Sequence, residues 1–455
     1  MNGLLLDKSL GKLSAREFAT TLTESFYTNL RQNAGCDVFP PNCHANAAVN
    51  SLSIEQSDYQ FMLSGCADSS IKLWDLRSQV KWSEKGTDIF RDDNDDYESP
   101  LSVFENIATV PRKTAHAFGV SCVQWWPFDT GMFISSSFDH KVKVWDTNEL
   151  TPVHDFDISN RVYSFDTCGH APNSNLVNAL VAVASDQPFL RLLDIRTSGN
   201  VHTVLGHKGK TLCVKWHPLD PYILASGGFD GEVKLWDIRR SKSCLCRLDM
   251  LKTSPSDAST VMTSENLVRP SVKAHLGPVN GLAWDSLGMT LFSTGNDDKI
   301  RVWDMASSLP PPVNKLINFG PLTRNKYLQT IPLLLNFNYE SELQYLFFPS
   351  DNTNIYVFRA MDGKLVSRLA RHGSKTSART SSMVSAGPFT GSLYCGTMDG
   401  EILCWSPYHN GPTADQIIDY GYLMSESPDT SKEDTNYIKE EFSKIYRDPY
   451  FNKPV

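Results

Sequence analysis

The stretch Val123–Thr147, VQWWPFDTGMFISSSFDHKVKVWDT, holds two apolar runs separated by turn residues, an Asp in the second turn, and a Trp-Asp pair closing the second run. Short runs rich in Val, Ile, Phe and Trp, bounded by Asp, Gly and Pro, read as strands of an antiparallel sheet. The unit recurs. Trp74, Trp145, Trp236, Trp303 and Trp405 each end a short apolar run, and six positions before each stands an Asp: Asp68, Asp139, Asp230, Asp297 and Asp399. Ten positions before the first four stands a Ser (Ser64, Ser135, Ser226, Ser293), and Cys395 takes that place before Trp405. About one hairpin further back stands a His: His44, His116, His207, His275 and His372. These side chains are spaced to form a buried chain of hydrogen bonds, turn Asp to His, His to Ser hydroxyl, and Ser to Trp indole N–H. Each polar group then loses water but keeps a partner.

The pattern is that of a WD40 repeat, whose period of about 40–45 residues builds four-stranded blades around a channel. Two weaker units fill the gaps. The run LVAVASDQPFLRLLDIR ends in Leu193-Asp194 with Gln187 at the turn position, and LQYLFFPSDNTNIYVFRA ends at Phe358 with Asn352 in the Asp place. Five full and two degenerate units predict an all-β, seven-bladed WD40 β-propeller preceded by an N-terminal helical segment.

The expected organisation is a docking segment over 1–34, the propeller over 35–407 and a polar, charged tail over 408–455. The helix is expected over 14–32: Ser14 and Glu17 have capping-box spacing, and Phe18, Leu22, Phe26 and Leu30 recur every four residues with Tyr27 beside them. A propeller reserves no core place for a helix, so this one is expected on a propeller face or docked into another protein. The ring is expected to close through a strand around Cys36–Phe39. An acidic insertion is read over 78–112, with Asp88, Asp92, Asp93, Asp95, Asp96 and Glu98, and a Ser/Thr-rich loop over 251–267.

With 43 basic against 51 acidic residues and no Lys/Arg cluster, the chain is a poor candidate for gripping nucleic acid, and no direct contact with it is expected. The ten cysteines include no CxxC pair, and Cys66, Cys213, Cys395 and Cys404 fall inside expected strands. They read as buried apolar residues in a reducing compartment. The opening MNGLLLDKSLGKL has too short an apolar run for a signal peptide or membrane span, so an intracellular, soluble protein is expected.

Nothing points to catalysis. No GxxxxGK[ST], GxSxG or HExxH occurs. The turn aspartates are distributed one per blade, which separates them as an acid/base couple. No enzyme activity, metal or cofactor is expected, and binding is the expected output. Trp74-Asp75-Leu76-Arg77 and Trp236-Asp237-Ile238-Arg239 share a Trp-Asp-x-Arg box. Arg77 and Arg239 either pair with a neighbouring loop carboxylate or project from one rim as forked donors to a partner.

VQWWPFDTGMFISSSFDHKVKVWDTNEL, YILASGGFDGEVKLWDIRR, YQFMLSGCADSSIKLWDLR and KAHLGPVNGLAWDSLGMTLFSTGNDDKIRVWD, with the Trp-less blade at Leu193-Asp194 and the closing MDGEILCWSP, closely resemble the Cockayne syndrome group A protein family. The resemblance runs from about Leu13 to Pro407. It implies a substrate receptor of a cullin-RING ubiquitin ligase acting in transcription-coupled nucleotide excision repair, resident in the nucleus. It further implies that the N-terminal helix and one propeller face bind the ligase's damaged-DNA-binding adaptor, through Phe18, Leu22 and Phe26 and through Arg77 and Arg239. The other face would recruit factors at stalled RNA polymerase II. The competing expectation is a propeller scaffold in another nuclear or cytoplasmic assembly without ubiquitin transfer.

Overall fold

The computed structural model describes residues 8–33, 38–40, 43–44, 47–81, 102–127, 129–168, 180–240, 244–253, 272–306, 312–338, 343–370, 378–387 and 391–407. The calls on the tail over 408–455, the acids of the insertion, His372 and the Ser/Thr-rich loop lie outside the described residues.

Turn chemistry makes the blades. In six of the seven second turns, the residue after the turn Asp or Asn has positive φ: Ser69, His140, Gly231, Asp298, Thr353 and Gly400. Most L residues avoid this region. The preceding carboxylate offsets the cost by accepting the N–H two residues on, as in Lys141 N to Asp139 Oδ1 (3.1 Å) and Glu232 N to Asp230 Oδ1 (3.1 Å). Each turn joins two antiparallel strands with the Trp on the second.

Seven four-stranded antiparallel sheets result. Blades 1 to 6 lie within 49–110, 120–157, 162–205, 211–247, 279–314 and 334–369, and blade 7 combines three strands within 380–406 with Arg31–Gln32. Every strand reverses direction. The first and third turns of each blade therefore emerge on one face of the disc, and the second turns and blade-to-blade connections on the other. The innermost strands meet around the channel, where Asn50 Nδ2 donates to Val120 O (2.7 Å) and Ser164 Oγ to Leu212 O (3.1 Å). The ring closes where Ser381 and Ser382 Oγ donate to Val49 O (2.6 and 2.8 Å).

Apolar clusters fill the seams between blades. Trp74, Trp145, Trp236, Trp303 and Trp405 are all fully buried there. In the degenerate blades, Leu193 and Phe358 stand in the Trp place and Val183 and Phe348 in the Ser place, and all four are buried. Both partners of the polar pair are lost together, which is nearly neutral where losing one is costly.

Three boundaries differ from the sequence reading. The helix is Ala15–Thr28, five residues shorter than 14–32, with the Ser14–Glu17 capping box formed. Leu30 lies beyond it, buried in the core. The closing strand is Arg31–Gln32, paired with Ser406 and Trp405, and not Cys36–Phe39. Phe39 instead packs its ring on Trp74, Phe104 and Tyr394, and Val38 makes only an isolated bridge to Val103. The stretch read as an insertion from Ser78 to Arg112 contains part of blade 1: its third strand runs on to Lys81, and Ser102–Val110 is its outer strand. In general the strand after each Trp-Asp completes the same blade.

Candidate partner-binding faces

The polar relays are built at the face of the second turns, hereafter the relay face. In blade 2, Trp145 Nε1 donates to Ser135 Oγ (2.7 Å), Ser135 Oγ lies 2.8 Å from His116 Nε2, and His116 Nδ1 lies 2.9 Å from Asp139. An indole N–H only donates, so Ser135 accepts from it and gives its own proton to Nε2, leaving Nδ1–H for the carboxylate. The same geometry links Trp236, Ser226, His207 and Asp230 (2.7, 2.7 and 3.2 Å) and Trp303, Ser293, His275 and Asp297 (2.8, 2.8 and 2.9 Å). Gly228 leaves the space: a Cβ there would lie 2.4 Å from His207 Nδ1. Burial alone would raise the Asp139 carboxyl, but the His116 hydrogen bond and two backbone N–H donors hold it down, to about 2. Asp230 is lowered further in the same way by His207 and two backbone N–H donors, and Asp297 by His275 and the Arg301 guanidinium.

Blade 1 departs from the pattern. His44 Nε2 meets Ser64 Oγ (2.8 Å), which accepts from Trp74 (2.9 Å), but His44 Nδ1 meets Ser70 Oγ (3.2 Å) and Ser70 in turn meets Asp68 (2.5 Å). Arg112 draws Asp68 outward at 2.9 Å. His44, Cys66 and Asp68 bring their ligand atoms within 4.8 Å of one another. Burial pushes the Cys66 thiol up to about 12, and its Sγ donates to the Ala47 and Ala48 carbonyls, both 3.1 Å away. His44 and Asp68 are joined through Ser70 in a hydrogen-bond relay. In blade 7, Trp405 Nε1 is buried with no hydrogen-bond partner among the described residues.

The sequence reading missed a cation two positions before the Trp in four blades: Lys72, Lys143, Lys234 and Arg301. Lys234 is fully buried beside Glu232 and donates to Gly206 O, the carbonyl just before the relay His, and Lys72 treats Cys43 O in the same way. The signal was the repeated Lys-x-Trp spacing.

The opposite face carries the helix. Tyr27 packs on Tyr345 and Phe347 of blade 6, with ring centroids 4.6 and 5.6 Å away, and accepts from Asn336 Nδ2 at 3.1 Å. Glu24 pairs with Arg359 at the end of the third strand of blade 6. Phe26 lies against Gly391 in the first turn of blade 7, where a Cβ would overlap its ring. Phe26 therefore packs on its own propeller while staying half-buried, as are Leu22 and Phe18, one and two turns earlier. Lys8 Nζ sits 4.4 Å from the Phe18 ring.

Arg77, in the irregular stretch between Asp75 and Gln79 of the third strand of blade 1, and Arg239, just past the third strand of blade 4, lie on this helix face too. Arg239 forks onto Asp237 (Nε–Oδ1 and Nη2–Oδ2, both 3.0 Å) and stacks 4.4 Å over Tyr222, with about half of its side chain (54%) exposed. The fork holds Asp237 below the usual carboxylate range. Arg77 donates to Asp58 O (3.0 Å) and Gln60 Oε1 (3.4 Å) and is exposed. A third box escaped the sequence reading because it lacks Trp. Asp194-Ile195-Arg196 repeats Asp237-Ile238-Arg239, and Arg196 Nε lies 3.4 Å from Asp194 Oδ1.

The WD domain, G-beta repeat family matches residues 37–75, 108–146, 198–237 and 268–304. With the seven-bladed architecture, this makes the chain a WD40-repeat propeller, a class of typically non-enzymatic scaffolds for protein partners. Among named proteins it is 26% identical to WD repeat-containing protein ATCSA-1 of Arabidopsis thaliana, over 90% of this chain and 96% of that protein. It is 28% identical to Radiation-sensitive protein 28 of Saccharomyces cerevisiae, over 60% of this chain and 55% of that one. It is also 31% identical to a Ribosome biogenesis protein WDR12 homolog of Oryza sativa subsp. japonica, over 42% of this chain and 43% of that protein. No helix among the described residues is long and apolar enough to cross a membrane.

Proposed function

We propose that this propeller is a substrate receptor of a cullin-RING ubiquitin ligase in transcription-coupled nucleotide excision repair, working in the nucleus. One observation carries the reading: the helix Ala15–Thr28 is seated on the same face as the Asp-x-Arg turns of blades 1, 3 and 4. A docking helix and a set of partly exposed arginines share one surface. Phe18 and Leu22 offer apolar anchors to the damaged-DNA-binding adaptor, and Arg77 and Arg239 offer charge-assisted donors at its rim. Phe26 supports the helix from below. The relay face is left for factors at stalled RNA polymerase II. The likeness to ATCSA-1 over nearly all of both chains, and the name Radiation-sensitive protein 28, support a repair role.

A second reading is a scaffold in ribosome assembly, favoured by the relatives named Ribosome biogenesis protein WDR12 homolog, whose likeness is confined to 31–43% of this chain. The two separate in one experiment. Full-length protein and the Phe18→Asp/Leu22→Asp variant are purified by affinity tag from their own cells, and partners are identified by mass spectrometry. The receptor reading expects cullin, adaptor and repair factors with the wild type, and loss of cullin and adaptor, by tenfold or more, with the variant. Pre-ribosomal proteins in place of a cullin, equally with both, overturn it.

A further inference from the structure

The connection from blade 5 to blade 6, residues 315–333, is far longer than the 158–161 connection between blades 2 and 3. Its middle is tied down at every step. Asn325 and Asn280 exchange amide hydrogen bonds (2.8 and 2.9 Å) while fully buried, and Asn280 Nδ2 also reaches the carbonyls of Tyr327 and Gln329 at 3.0 Å each. Asn325 N donates to Asp298 (2.6 Å) and Lys326 N to Asp351 (2.6 Å). Arg379, from the connection into blade 7, binds Asp351 (2.9 Å) and Gln329 (2.6 Å) and stacks 4.4 Å beneath the Tyr327 ring. Gln329 in turn points at Asn50, at the start of the innermost strand of blade 1. The segment is a rigid strap on the relay face, reaching from blade 5 to blade 1.

What this strap displays is apolar. Tyr327 is 60% and Leu328 50% exposed, and Leu276, in the connection into blade 5, is 71% exposed; its N–H donates to Asp297 (3.2 Å), and the adjoining Asn296 donates to Lys326 O of the strap (3.1 Å). Holding such side chains to water on a fixed backbone is unfavourable by itself and favourable only for a partner that meets them, since their ordering cost is already met. Among the described residues of these turns, the acids are engaged and the cations are exposed. Asp297, Asp298 and Asp351 are turned inward onto His275 and Arg301, onto Asn325 N, and onto Lys326 N and Arg379, whereas Lys299, Arg324 and Lys326 are exposed. A chain of net charge −8 thus presents a local basic rim around an apolar centre.

We infer that the strap is a docking platform for an acidic protein segment carrying aliphatic side chains, which fill the space over Tyr327, Leu328 and Leu276 while its carboxylates meet Lys299, Arg324 and Lys326. The apolar centre favours a peptide over nucleic acid, whose backbone has no use for aliphatic contacts. This inference is independent of which assembly the helix face joins.

The test is selection of a random dodecapeptide display library on the purified full-length protein, followed by fluorescence anisotropy of the enriched peptides and of a single-stranded oligonucleotide. The expected result is enrichment of Asp/Glu-rich sequences containing Leu, Ile or Phe, with affinity that weakens as salt rises. Binding should fall at least tenfold in Leu328→Asp and in Leu276→Asp, with melting temperature unchanged, and persist in Phe18→Asp. Enrichment of basic or uncharged peptides, no enrichment, tighter binding of the oligonucleotide, or undiminished binding by both relay-face variants overturns it.

Discussion

At Asp230 one carboxylate serves three donors: His207 Nδ1 (3.2 Å), Lys208 N (2.9 Å) and Glu232 N (3.1 Å). Asp230→Ala leaves all three short of a partner in a partly buried site. A loss of about 1–3 kcal/mol is expected, the cost of stranding a buried hydrogen-bonding group, read as a lowered denaturant midpoint with unchanged slope. An unchanged midpoint would show that water replaces the carboxylate. These residues were legible because hairpin geometry fixes the interval from Ser to Trp at 10 in all four relays, whereas the interval from His to Ser drifts from 20 through 19 to 18. Ser70, which stands between His44 and Asp68, and Arg196, whose box has Leu for Trp, were not. Ser70 is interposed between a His and an Asp that both keep their types, and Arg196 keeps its type while the Trp that flags its box is replaced by Leu193.

Among the elements, the helix shows how a stripe can be read correctly and its orientation missed. Four-residue spacing marks Phe18, Leu22 and Phe26, but the side chain that anchors the helix is Tyr27, which is buried between blade 6 aromatics. Periodicity does not say which edge of a broad stripe meets the propeller. Tyr27→Ala is expected to cost about 3–5 kcal/mol, as for a large aromatic removed from a core, and to raise proteolysis within Ala15–Thr28 while the Trp-bearing blades stay protected. Uniform protection would place the anchor elsewhere. Removal of residues 1–34 is a poorer probe of docking, because it also takes Arg31–Gln32 out of blade 7 and Leu30 out of the core. That two-residue strand was invisible in the sequence: it is too short to alternate, and its partners Trp405 and Ser406 lie at the other end of the ring. The outer strand Ser102–Val110 was hidden for another reason, the acidic run that precedes it.

For the whole molecule, the buried titratable groups predict a stepped response to acid. Burial, with Lys72 nearby, lowers His44 to about 4, and burial lowers His275 and His217 in the same direction. A histidine with lowered folded pKa contributes stability above the unfolded value of about 6.5, and that stability is lost as pH falls from there toward the folded value. The lowered carboxylates Asp139, Asp230 and Asp297 contribute above about 4, and their share disappears as pH falls toward 2 and below. Melting temperature is therefore expected to be flat above pH 6.5, to decline from 6.5 to 4, and to decline again below 4. A flat profile down to pH 4 would mean that the histidines titrate normally.

The closing strand also sets an order of events at the ribosome. Arg31–Gln32 is made early, yet it pairs with Ser406 and Trp405 in the last blade to be made, and neighbouring Asn33 meets Cys404 across 371 residues of chain. At synthesis rates of about 5–20 residues per second, the first-made strand waits roughly 20–75 seconds for its mate, with its edge unsatisfied. Throughout that interval the nascent chain is an open arc with an adhesive strand at each end, the period in which a chaperone that shields strand edges would matter most.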